Sequence, residues 1–215
     1  MTIKSILAVS VLAAVFSSCT AKVGQQDEPS TAVEPTLDGT WATACMEDSS
    51  DSYVKSFKLE NGTLTVATLR YVGTRTCEQD KLNSTVIYSG KLNVTGDSAA
   101  VTGGKDYEWT IEMVVGIPYD QAIVDQFNAG SVCGSTSWAV GQAGILLGCN
   151  VTSGFDLTNV VYGTVHYGTY EIAKNVDPLI MQFESKCSKS GYDFICPTAN
   201  DRPTSLDGTV YIKQP

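Results

Sequence analysis

Histidine occurs once in the chain of 215 residues, at His166, so no site built on two imidazoles is available. Positive charge is also scarce. Lys and Arg total 14 against 23 Asp and Glu, a net charge of −9, which argues against nucleic acid or an anionic membrane surface as partner, because both attract basic patches. No Cys-x-x-Cys pair is present, which removes the commonest zinc frame. No glycine-rich phosphate loop is present either; Gly103-Gly104 reads as a turn between strands. No serine or cysteine motif marks a nucleophile, and His166, set among Tyr162, Tyr167 and Tyr170, reads as a strand residue. The sequence therefore predicts no catalytic residue, no metal and no cofactor, and a non-enzymatic protein.

What the chain does have is Gly, Thr, Val and Tyr in quantity, a mixture that favours twisted strands and tight turns. In DYEWTIEMVV, Tyr107, Trp109, Ile111, Met113 and Val115 alternate with Asp106, Glu108, Thr110 and Glu112. That period of two predicts a strand with one apolar face, and the carboxylates fall on its solvated side. In STVIYSGKLNV, Val86, Tyr88, Leu92 and Val94 share a face around Gly90. Asn61-Gly62 lies between two alternating runs, a hairpin signal. Further strands are predicted at 39–46, 158–173, 179–185 and 208–213, about eight in all. IPYDQAIVDQFNAG breaks the pattern: Pro118, the Ile123, Val124 and Phe127 face and the Gly130 stop predict a short helix over 119–128. The fold class is mainly β, about eight strands with one short helix packed over the end of a barrel or sandwich.

The N-terminus has the features of an export signal: Lys4, an apolar core from Ile6 to Phe16 interrupted at Ser10, then Ser17 and Ser18 before Cys19. The apolar stretch falls short of the ~20 residues that span a bilayer. FSSC resembles the lipobox of bacterial lipoproteins, in which the cysteine is acylated and becomes the first mature residue. The resemblance implies a signal peptide over 1–18, lipid on Cys19 and attachment to the outer membrane of a bacterial envelope. Thr20 after the cysteine supplies no inner-membrane retention signal. Residues 19–36, rich in polar residues and containing Pro29 and Pro35, form a tether to a domain over 37–215.

Assigning Cys19 to lipid leaves Cys45, Cys77, Cys133, Cys149, Cys187 and Cys196, an even set downstream of an export signal. Such a set implies structural disulfides. Many pairings are open; locality favours Cys45–Cys77, Cys133–Cys149 and Cys187–Cys196. Asn-x-Ser/Thr triplets at Asn61, Asn83, Asn93 and Asn150 read as Thr-rich strand chemistry in an exported bacterial protein.

LDGTWATAC, residues 37–45, begins the domain with Gly39-Thr40-Trp41. This Gly-x-Trp resembles the first motif of lipocalins. Together with RYVGTRTC, CGSTSW, YEI and DRPTSLDGTVYIK it resembles a group of bacterial lipocalin-like lipoproteins. It is also similar to the extracellular domain of the secreted Wnt-inhibitor family named for down-regulation by the adenomatosis polyposis coli product. The resemblance implies an antiparallel lipocalin-like barrel of about eight strands with one short helix, its base closed by Trp41 with Arg202 as the lid. It also implies a small hydrophobic ligand or lipid held against Tyr88, Leu92, Tyr107, Trp109, Ile111 and Met113. The other reading is a packed core whose loops recognise a protein or glycan.

Overall fold

The computed structural model describes residues 36–146, 163–174, 176–183, 185–190, 195–206 and 208–215. Cys19, Cys149, Asn150 and the 158–162 part of one expected strand lie outside them. The chain divides into two compact units, and the one described here is Pro35–Gln214.

Among its described residues, this unit has ten strands and one α-helix: β1 Gly39–Ala42, β2 Met46–Asp48, β3 Asp51–Glu60, β4 Thr63–Tyr71, β5 Leu82–Asp97, β6 Lys105–Pro118, α1 Gln121–Ala129, β7 Gly144–Ile145, β8 Val165–Ala173, β9 Ile180–Phe183 and β10 Thr209–Lys213. Eight of them, β1, β3, β4, β5, β6, β8, β9 and β10, pair in chain order, and β1 pairs with β10 on one side and β3 on the other. All these pairings are antiparallel, so the sheet closes on itself as an up-and-down barrel. Among the described residues each of the eight strands is therefore paired on both sides, as closure of a barrel requires. β2 and β7 are short additions to β3 and β6.

The Asn61-Gly62 hairpin forms as predicted. Both residues have positive φ, 52° and 71°, the requirement of a two-residue turn whose twist matches its strands. This hairpin marks the lower end of the barrel, and β6 finishes at Pro118 at the upper end.

The alternation expected of β6 holds through Tyr107, Trp109 and Ile111, all fully buried, and then reverses. Ser89 pairs with Met113 and Gly90 with Ile111, so Glu112 is an extra residue with no opposite number. A bulge of one residue moves everything after it to the other face. Val114 therefore points inward at 3% exposure, while Met113, expected to line the interior, lies outside at 49%. Gly90 makes the bulge possible: a Cβ there would sit 1.9 Å from the Thr110 carbonyl oxygen. Val94 shares the register of the interior residues but lies near the strand end, 42% exposed.

The lower interior is filled with rings. Trp41, Phe57, Tyr107, Phe183 and Tyr211 are all buried. Phe183 stacks on Tyr107 at 5.1 Å between centroids and lies 5.4 Å from Phe57. Each such side chain contributes roughly 1.5–3 kcal/mol through burial.

Pro118 ends β6 instead of opening the helix. Asp120 caps α1, its carboxylate accepting from the Ala122 N–H at 2.7 Å. The expected helical face is the one that packs: Val124 and Phe127 are buried and Ile123 lies against them. Phe127 meets Trp138 edge-on at 5.2 Å, and Asn128 holds the Trp138 backbone on both sides.

Cys45–Cys77 and Cys187–Cys196 are disulfides, with Cα separations of 5.9 and 5.4 Å. Cys133 is also disulfide-bonded, and its expected partner Cys149 lies outside the described residues.

Candidate ligand site at the barrel mouth

Of the six residues expected to line a ligand site, Tyr88, Leu92, Tyr107, Trp109 and Ile111 converge inside the barrel, each at most 8% exposed. They belong to one continuous hydrophobic cluster with Trp41, Phe57 and Phe183. These five are thus part of a packed floor, and Met113 is on the outer surface.

Above that floor the environment changes. Phe57, Val66, Tyr88 and Val114 align across β3, β4, β5 and β6 as one interior row. The next row upward is Lys55, Thr68, Val86 and Gly116. Period two puts these on the interior side, yet Lys55, Thr68 and Val86 are only half-buried, as is Tyr53 above them. The Lys55 ammonium lies 5.8 Å from the Tyr53 ring centroid. On the β6 side, Val124, Phe127, Trp138 and Leu146 cover the upper end of the core. The mouth is therefore asymmetric: apolar and sealed toward β6, mixed and half-open toward β3, β4 and β5.

At the base, Trp41 is fully buried and its indole N–H donates to the Leu37 carbonyl at 2.8 Å. The cation beside its ring is Lys213, whose ammonium lies 5.3 Å from the ring centroid and whose Cα is the register partner of Trp41. Arg202, expected there, stacks instead on Tyr167 at 4.9 Å, with its Nε 3.8 Å from an Asp106 carboxylate oxygen. The cause is strand parity. Asp106 and Tyr167 alternate with the interior residues Tyr107 and His166, so Arg202 is held on the outer face of the sheet. Lys213 was legible in principle, two residues beyond the interior Tyr211 in a period of two.

His166 is 3% exposed and pairs in register with Trp109, with Nε2 3.4 Å from the Thr164 hydroxyl. Glu108 and Glu112 lie on the outer face with Asp106, which accepts from the Thr169 hydroxyl at 2.7 Å. Among the described residues, no group of three His, Cys, Asp or Glu side chains could hold a metal. Chemically, the mouth offers apolar contact, hydroxyls and one ammonium, a surface for binding.

No protein-family model and no curated protein sequence matches this chain.

Proposed function

We propose that the protein is a non-enzymatic, lipid-tethered barrel of a bacterial cell envelope that binds a small hydrophobic molecule or lipid at its upper mouth. The observation that carries this reading is the half-buried interior row Lys55, Thr68 and Val86 above a sealed aromatic floor. An apolar body would rest on Tyr88 and Val86, and a polar end would face Thr68 and Tyr53. The FSSC stretch ending at Cys19 supports the tether, and structural disulfides fit an oxidising compartment.

A titration with a fluorescent apolar probe tests the binding. We expect one saturable site, abolished by Thr68→Trp, which fills the mouth, in a variant that keeps its unfolding temperature. Absence of saturable binding to the unsubstituted protein would sink the carrier reading. It would favour the second one, a packed module that recognises a protein or glycan through its surface, for which the filled lower barrel speaks. The tether is tested separately: a Cys19→Ala protein that is exported and still partitions with membranes would remove the lipid anchor.

A further inference from the structure

Outside the barrel, the turn at 98–101 and the segment 199–204 enclose a cleft of about 210 Å³, with Ser98, Asp106, Ser188, Asn200, Arg202 and Thr204 among its lining. Arg202 and Asp106 form its charged wall, and both are held in place. The guanidinium lies on the Tyr167 ring, and Thr169 donates to one oxygen of the Asp106 carboxylate. Their side chains are 17% and 21% exposed.

The hydrogen-bonding capacity of Arg202 is largely unspent. A guanidinium carries five N–H donors. Among the described residues, Arg202 makes one hydrogen bond, a long one of 3.5 Å to the Ala199 carbonyl, and its Nε is buried without an acceptor in hydrogen-bond range. Buried donors are normally satisfied; Nε faces the Asp106 carboxylate at 3.8 Å, and the exposed remainder of the guanidinium is what lines the cleft.

The chemistry of an acceptor there follows from the lining. Arg202 and Asp106 cancel in charge, and the chain as a whole is at −9, so neither a local nor a global field draws in an anion. What the cleft offers is a planar donor, a carboxylate acceptor and several hydroxyl or amide groups that both donate and accept. Vicinal hydroxyl groups have the same dual character. The volume lies below the roughly 300 Å³ at which pockets for drug-sized ligands begin. We infer that this cleft is a binding site for a single sugar ring, with Arg202 donating to adjacent hydroxyl oxygens and Asp106 accepting from one of them. The site lies on the outer face of the sheet and does not depend on ligand binding at the mouth.

Calorimetric titration of the full chain with glucose, galactose, mannose and N-acetylglucosamine tests this, with acetate and glycine as charged controls. At least one sugar should bind saturably, and Arg202→Lys, which keeps the charge but loses the planar fork, should weaken it at least about tenfold. Ala100→Trp fills the cleft from an exposed turn and should abolish binding with the fold intact. No saturable sugar binding, sugar binding that survives Ala100→Trp, or binding of acetate or glycine alone would each overturn the proposal.

Discussion

At the residue scale, charges are informative where they are buried. Asp201 is 3% exposed, and its carboxylate accepts from the backbone N–H groups of Lys189 and Ser190 at 2.5 and 3.0 Å. Burial alone would raise its carboxyl pKa. The hydrogen bonds from the Ser190 side chain and from the Ser190 and Lys189 backbone outweigh it and hold the group below 3.8. A depressed folded-state pKa means stability that is fully present above the unfolded value and lost as pH falls through the folded one. Asp201→Asn should therefore cost about 1–2 kcal/mol near neutrality, the difference between charged and neutral hydrogen bonds. The gap to the parent should shrink below about pH 4; denaturant unfolding at pH 7 and pH 3 measures it. Lys213 and Arg202 offer a second comparison. If Lys213 is the cation that covers Trp41, Lys213→Ala should destabilise by about 0.5–1 kcal/mol, and the indole environment should change. Trp41 fluorescence, read in a chain with Trp109 and Trp138 replaced by Phe, should shift in Lys213→Ala and not in Arg202→Ala.

At the scale of elements, the sequence was readable where one rule governs a strand. β6 shows both sides of that. Its period of two correctly places Tyr107, Trp109 and Ile111 inside, since each is a local consequence of the pleat. It fails at Met113 because the bulge depends on Gly90 in the neighbouring strand, a contact that periodicity within one strand does not encode. Arg202 was misplaced for a related reason: it sits in a loop, where no period assigns a face. The helix was legible from Val124 and Phe127, but its start moved from Pro118 to the Asp120 cap because β6 continues through Pro118. The bulge makes a paired prediction. Ile111→Ala should cost about 2–5 kcal/mol as a core truncation, while Met113→Ala should stay within about 0.5 kcal/mol as a surface change. Gly90→Ala should cost at least the upper end of the ~1–3 kcal/mol typical of overpacking, because the obstructing atom is a backbone carbonyl. Equal losses at positions 111 and 113 in chemical denaturation would mean that the strand does not reverse.

At the scale of the whole molecule, closure is the property that local reading reached only indirectly. Strand count and hairpin turns left a barrel and a sandwich both open, and only the Gly-x-Trp resemblance favoured closure; the β1 to β10 seam joins residues at opposite ends of the domain, Trp41 with Lys213 and Ala42 with Ile212. No local signal specifies that pairing, and it must be secured by the interior rings that meet across it. The disulfides act on different parts of this architecture. Cys45–Cys77 links residues 32 positions apart and ties the segment after β1 to the connection beyond β4, whereas Cys187–Cys196 closes a loop of 9 between β9 and β10. In the chain-entropy account the constraint on the unfolded state grows with the logarithm of loop length, giving about 3.7 kcal/mol for the first and about 2.6 for the second. Replacing both cysteines of each pair by Ser should therefore lower unfolding free energy more for Cys45/Cys77 than for Cys187/Cys196. The long bridge closes a loop that contains the whole β3–β4 hairpin, so its loss acts on the side of the barrel that carries Lys55 and Thr68. Denaturant unfolding of the two double variants, with apolar-probe binding followed in parallel, reads both effects. We expect the larger destabilisation and the weaker probe binding in the same variant, Cys45→Ser/Cys77→Ser. The opposite order of stability would show that native-state contacts in the 187–196 loop, including the Asp201 hydrogen bonds, outweigh the loop-length term.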